Sequence, residues 1–275
     1  GYVDTTEFAE EHPMEIYFMD VGQGDSTFII TPVGKKILVD GGKGDEAYQF
    51  LSWKYRLDLD DPEPVDIDLL VVSHTDDDHL GGLVPIIQHP LIEVKKVIHS
   101  GIAKYSSGFA TSLGNTIEHD GEEYLITRHD SIGDIAGDNL TNLMTSWRDA
   151  CVAEPELMYQ AVDSGSPAID LGDPAVSLQV LAPRLATIPG HNEPVFPWFD
   201  GVGPTVNGNS VVLLLKYNKV RVLLSGDLNK KSEKYLISDA QFTTDCDAHF
   251  LKAPHHGSND YDRDFLKAVH PQVTV

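Results

Sequence analysis

His74, Asp76, Asp78 and His79 put four potential metal ligands within six residues, directly after the apolar run Leu69-Leu70-Val71-Val72 and just before Gly81 and Gly82. Imidazole mixed with carboxylate is the ligand set of catalytic zinc, manganese or iron. A short buried strand that empties into such a loop fixes its side chains at the edge of a sheet. The competing reading is an acidic, solvated loop, and the strand context together with two histidines favours the metal.

Three further motifs repeat this grammar of apolar strand, glycine and ligand-type side chain. Phe18-Met19-Asp20 leads into Gly22-Gln23-Gly24-Asp25, Leu223-Leu224 into Ser225-Gly226-Asp227, and Ala253-Pro254 into His255-His256-Gly257-Ser258. Glycine permits the turns and close approaches that a metal centre needs. Taken singly, Ser225-Gly226-Asp227 is an ordinary strand-ending turn. The Gly22 to Ser26 segment lacks the lysine and following helix of a phosphate loop, so it reads as a β-turn, with Asp25 and Ser26 as secondary candidates to face substrate.

The elements that must position these residues follow from pattern and turn chemistry. Strands are expected over residues 14–20, 27–31 and 36–39, then a helix over 45–57 with apolar Ala47, Phe50, Leu51 and Tyr55 on one stripe. A strand over 67–72 delivers the histidine-aspartate loop, and a short helix through Ile87 and a strand over 94–99 continue the alternation of an α/β fold. From 101 to 173 the signal weakens to one helix over 141–153 within an insertion or a set of long loops over the site. Order returns with strands over 175–181, 210–216 and 220–224, a helix over 230–240, a strand over 248–251 and a helix over 261–269. Val273-Thr274-Val275 reads as the start of another strand, so the natural protein is expected to continue.

A chain of 275 residues, 41% hydrophobic, can bury one large core, and a single domain over 1–275 is expected. There is no apolar stretch of membrane-spanning length and the amino terminus is polar and acidic, so no membrane role and a cytoplasmic location are expected. Cys151 and Cys246 have no ligand spacing and are expected to be reduced. A net charge of −23 argues against a broad basic surface for duplex nucleic acid. Metal charges inside an acidic cleft can still attract phosphate, and Lys252 and Lys216 are the cations nearest the motifs in sequence.

Asp20 through Asp40-Gly41-Gly42, the His74 motif, Asn209-Ser210, Ser225-Gly226-Asp227 and Pro254-His255-His256-Gly257-Ser258 together resemble the metallo-β-lactamase fold. Within it, they are similar to the hydrolase domain of the ComEC competence proteins and their stand-alone relatives. The resemblance spans about residues 14–100 and 175–275. It implies an αββα four-layer sandwich with a centre of one or two divalent metal ions at the common edge of two sheets. By that likeness His74 and Asp76 would bind a first ion, Asp78, His79 and His255 a second, and Asp227 would bridge both. His256 replaces His255 if the register differs by one, and Asp20 would support the ligand loop from outside the coordination shell. Catalysis would rest on Asp78, His79 and Asp227, with Asp78 orienting the attacking water. The sequence departs from the family at Asn209 and Asp76, where histidines are usual. A first site poor in nitrogen shifts preference from zinc toward manganese or magnesium, and one firmly held ion with another recruited by substrate is equally compatible.

The resemblance implies a nuclease or phosphodiesterase acting on single-stranded or short nucleic acid. Hydrolysis of a carboxylic ester, amide or thioester is the alternative chemistry. A metal-binding regulatory subunit with protein partners in a larger assembly, such as a phage-defence complex, is the alternative from another class.

Overall fold

In a computed structural model that describes residues 13–275, continuous apolar runs become strands buried on both faces. The polar stretch 1–12, with His12, lies outside the described residues. The first half of the chain forms β1 (Glu15–Phe18), β2 (Thr27–Ile30), β3 (Lys36–Val39), α1 (Glu46–Tyr55), β4 (Val65–Ile67) and β5 (Leu69–Val72). Two short helices, α2 (Asp77–Leu80) and α3 (Leu83–Ile87), precede β6 (Ile92–Val94) and β7 (Lys96–His99). β1, β2 and β3 pair antiparallel, and β5 and β7 continue the sheet in parallel. The expected strand over 67–72 is two elements. β4 pairs with β6 in a separate ribbon, and Asp68 breaks the run by accepting the Lys36 amide at 3.0 Å, so the main sheet begins at Leu69.

Residues 101–173 are more regular than their sequence indicates. They supply β8 (Thr116–His119), β9 (Glu122–Leu125), α4 (Asn142–Ala153) and β10 (Met158–Ala161). β10 is the edge strand of the first sheet, parallel to β7, and α4 buries Met144, Trp147 and Ala150 in the same core as Leu70 and Val72. Four-residue strands that are half exposed carry too little periodicity to be recognised from sequence.

The second half forms β11 (Val176–Ala182), β12 (Phe196–Pro197), α5 (Val202–Gly208), β13 (Val212–Tyr217), β14 (Val220–Leu224), α6 (Lys230–Ile237) and α7 (Ala240–Asp245). β15 (Phe250–Lys252), α8 (Arg263–Val269) and β16 (Val273–Thr274) complete it. The second sheet runs β11-β13-β14-β15-β16, while β12 joins β9 and β8 in a small third sheet. The helix expected over 230–240 is interrupted, because the Asp239 side chain accepts the Phe242 amide and starts α7.

Alternation along each strand divides its side chains between two cores. Leu69, Val71, Ile37 and Ile98 meet Leu178, Val180, Leu213 and Val222 between the sheets. Leu70, Val72, Phe28 and Val97 pack with Leu51, Ile86 and Trp147 of the helices on one outer face. Val212, Leu214, Leu223 and Leu251 pack with Leu236, Phe242 and Phe265 on the other. The layers are thus helix, sheet, sheet, helix, the αββα order that the resemblance implies. Cys151 and Cys246 are free and buried. Among the described residues no helix is long and apolar enough to cross a membrane.

Candidate metal centre

The parallel strands β3, β5, β14 and β15 end at one edge of the sandwich, where open α/β sheets place their ligands. Their C-terminal ends deliver Asp40, Ser73-His74, Ser225-Gly226-Asp227 and the segment bearing His255 and His256. The Val211 amide donates to the Ser73 carbonyl at 2.8 Å and ties the two halves together there.

Asp227, 2% exposed, is the focus. His79 Nε2 lies 3.2 Å from its Oδ1, and His256 Nε2 lies 3.2 Å from its Oδ2. Both imidazoles are oriented from behind by a carboxylate: Asp40 Oδ2 is 2.9 Å from His79 Nδ1, and Asp25 Oδ1 is 3.0 Å from His256 Nδ1. A carboxylate on Nδ1 fixes the tautomer whose Nε2 lone pair faces a metal. Asp25, His79, Asp227 and His256 each offer one ligand atom within 4.8 Å of the others. Asp40 also accepts the Ser73 amide at 2.7 Å, so one buried carboxylate positions both ends of the His74 to His79 loop.

The charges are strongly coupled. Burial alone would lower His79 and raise Asp227, but the Asp40 and Asp227 carboxylates hold His79 well above the usual histidine range. His256 and His79 in turn hold Asp227 well below the usual carboxylate range. Hydrogen bonds to Asp227 and Asp25 push His256 up to about 9. Burial and the neighbouring His79 keep His74 well below the usual range, as a neutral imidazole. Its Nδ1 faces Ser73 Oγ at 3.0 Å and Ser210 Oγ at 3.4 Å, while its Nε2 points between Asp227 Oδ2 at 3.8 Å and Asp76 Oδ2 at 3.9 Å.

Two glycines make this packing possible. A Cβ on Gly24, whose φ is +100°, would stand 1.7 Å from the Asp78 carbonyl oxygen, and one on Gly226, whose φ is +53°, would stand 2.7 Å from Ser210 Cβ. The first approach lets the Asp25 amide donate to that carbonyl at 3.3 Å. Asp78 Oδ2 accepts from Gln23 at 3.3 Å and lies 3.6 Å from His256 Nε2, at the rim of the centre.

Other sequence candidates are placed differently. His255 Nε2 is 4.0 Å from Asp227 Oδ2, farther than that of His256. Residues 255 and 256 both have positive φ, a double left-handed turn that turns the second imidazole inward. Asp20 is exposed and only accepts the Gly22 amide at 3.2 Å, so the supporting carboxylate is Asp40 rather than Asp20. The Asn209 amide donates to the carbonyls of Pro197 and Thr205 at 3.0 and 2.9 Å, away from the cluster, and Ser210 beside it contacts His74 instead. Lys252 reaches Asp25 at 2.8 Å, whereas Lys216 pairs in register with Arg221 at the opposite end of β13. Lys104, unmarked in sequence, forms an ion pair with Asp76. Asp25 and Asp40 had a local signal, an aspartate at a glycine turn beside a strand, but no indication of which histidine each would face.

The residues present fit a divalent cation. His74 Nε2 is buried and makes no hydrogen bond, while His79 Nε2 and Asp227 Oδ1 have only each other, at 3.2 Å. Buried polar atoms without partners are destabilising by about 1–3 kcal/mol each, and a cation is the partner that a cluster of nitrogen lone pairs and carboxylate oxygens lacks.

Residues 19–271 match the family model described as Metallo-beta-lactamase superfamily. Similar solved structures include the metallo-beta-lactamase fold protein YhfI from Bacillus subtilis, with 8% identity, a TM-score of 0.46, and coverage of 95% of this chain and 86% of that one. The Rm3 metallo-beta-lactamase shows 13% identity and a TM-score of 0.43 over 88% of this chain and 76% of that one. Zn(2+)-bound PqqB from Methylobacterium extorquens shows 11% identity and a TM-score of 0.42, covering 83% of this chain and 59% of that one. No curated protein matches the chain.

Proposed function

This chain belongs to the metallo-beta-lactamase superfamily, whose members are generally metal-dependent hydrolases, and from that premise we propose that it hydrolyses phosphodiesters in single-stranded or short nucleic acid. The observation that carries the reading is the convergence of His79 and His256 on the two oxygens of Asp227, with the ammonium groups of Lys104 and Lys252 on the adjoining carboxylates. An anionic substrate needs cations at the reacting centre, and these two lysines supply them in an otherwise acidic protein. The ComEC-like resemblance belongs to the same proposal and favours DNA.

His79, His256 and Asp227 would hold a divalent cation, manganese or zinc, with Asp25 or Asp78 as a further oxygen donor. Such a cation supplies Lewis acidity, bringing the pKa of water down to about neutral. Asp78, at the rim, would orient the attacking water. Asp40 and Asp25 keep both imidazoles in the tautomer that leaves Nε2 available. Lys252 and Lys104 attract the phosphate, and Lys104 stabilises charge that builds on its oxygens during in-line displacement.

The test incubates the purified protein with Mn²⁺ or Zn²⁺ and an end-labelled single-stranded DNA, beside an Asp78→Ala, His79→Ala double variant. Cleavage by the wild type and a loss of at least about 100-fold in the variant are expected. Equal cleavage by both removes the centre from the reaction. Hydrolysis of a thioester or ester in place of DNA, lost in the same variant, would retain the centre and replace the substrate.

A further inference from the structure

We propose that Lys104 stands in for a second metal ion, so that the centre binds one divalent cation tightly through His79, His256 and Asp227 while the Lys104 ammonium provides the other positive charge. The inference rests on the metal-centre part of the proposed function and is independent of the substrate.

A first-site ion would need His74, Asp76 and a share of Asp227. Asp76 is already engaged at both oxygens. Lys104 Nζ pairs with its Oδ1, and the Asn207 amide, oriented to satisfy its neighbours, donates to its Oδ2 at 3.2 Å and to the Gly203 carbonyl at 3.0 Å. Asn209, at the position where the family usually has a further nitrogen ligand, directs its amide to Pro197 and Thr205 instead. What remains is one imidazole nitrogen, His74 Nε2, with the Asp227 oxygen that also faces His256 and an Asp76 carboxylate whose charge is already balanced. That is too few donors to strip the hydration from a dication.

Lys104 is held in place by the chain. Its carbonyl accepts the Thr141 amide at 3.1 Å, and Thr141 is the N-cap of α4, whose buried face is part of the first core. Its side chain is 26% exposed, so the ammonium is anchored on Asp76 yet reachable from solvent. A dication a few ångströms from a fixed ammonium is repelled, and that repulsion is strong where water is partly excluded. A lysine in this place would also perform the electrostatic part of two-metal catalysis, because a compact positive charge beside the centre can meet a developing phosphoryl oxyanion. Lys252 does not share this role, since it pairs with Asp25 on the Nδ1 side of His256.

The experiment counts metal. Chelator-stripped protein is titrated with Mn²⁺, and in parallel with Zn²⁺, and bound ion is measured by elemental mass spectrometry after removal of free ion. The wild type and Lys104→Arg are expected to retain one ion per chain. Lys104→Met is expected to gain a second, with its affinity raised about tenfold or more. Asp76→Asn is expected to leave the affinity of the tight ion within about threefold, because Asp76 is not its ligand, and it carries the test alone should Lys104→Met fail to fold by circular dichroism. Two tightly held ions in the wild type, a single ion in folded Lys104→Met, or loss of the tight ion in Asp76→Asn would each overturn the proposal. DNA cleavage does not enter these counts, so an error in the substrate leaves them unchanged.

Discussion

Asp40 braces the candidate centre from behind His79. Its two oxygens accept from Ser73 and face His79, and its burial means that no water can replace it. Asp40→Asn is therefore expected to weaken metal binding about 10–100-fold, measured by competition with a fluorescent chelator. Asp20→Asn should leave it unchanged, since Asp20 serves only an exposed turn. An equal loss in both variants would reverse that assignment. At this scale the sequence was informative where chemistry is local: His74, His79 and Asp227 each follow an apolar strand through a short turn. It was silent where partners are distant in the chain. The pairing of Asp40 with His79, of Asp25 with His256 and of Lys104 with Asp76 depends on sheet register and on a turn with two positive-φ histidines, which no spacing encodes.

The segment between β15 and α8, which carries His256, is braced from below by α6. Glu233 on that helix is fully buried, accepts the Asp262 amide and leaves its Oε1 without a partner. Burial, with Asp262 and Asp260 nearby, pushes its carboxyl up to about 7 from the ordinary 4.5. Protonated Glu233 thus stabilises the fold, fully so below pH 4.5, and this contribution is lost as the pH rises through about 7. Glu233→Gln, which keeps the acceptor and removes the charge, is expected to raise stability at pH 8 by about 1–3 kcal/mol and to leave it unchanged near pH 5, as read from denaturant melts at both values. A variant less stable than wild type at pH 8 would show that the ionised form is needed. The strands were readable as elements because both of their faces are buried, which gives unbroken runs such as Leu69-Leu70-Val71-Val72. The small sheet of β8, β9 and β12 was not, because its segments are short and its outer face is wet.

Across the whole molecule 43 acidic residues face 20 basic ones, so a nucleic-acid substrate of the proposed kind would approach against a repulsive field. For a short single-stranded oligonucleotide, kcat/KM is expected to rise as ionic strength increases toward about 0.15 M, opposite to the fall seen when a basic surface binds DNA. A steep fall with salt would point to a basic track on the surface and count against the short-substrate reading. The αββα layering was legible through the family resemblance that the ordered motifs carry, and the structure has it. What composition could not reveal was that β10 and α4, from the weakly patterned middle of the chain, complete the first sheet and its helical cover. The hydrogen bond between Val211 and Ser73 marks the seam where the halves meet, and the candidate ligands straddle it, His79 from one side and Asp227 with His256 from the other. An ion seated there works as a rivet. His79 alone or Asp227 with His256 alone would offer it too few donors, so a bound cation is expected to favour the assembled sandwich over the unfolded chain.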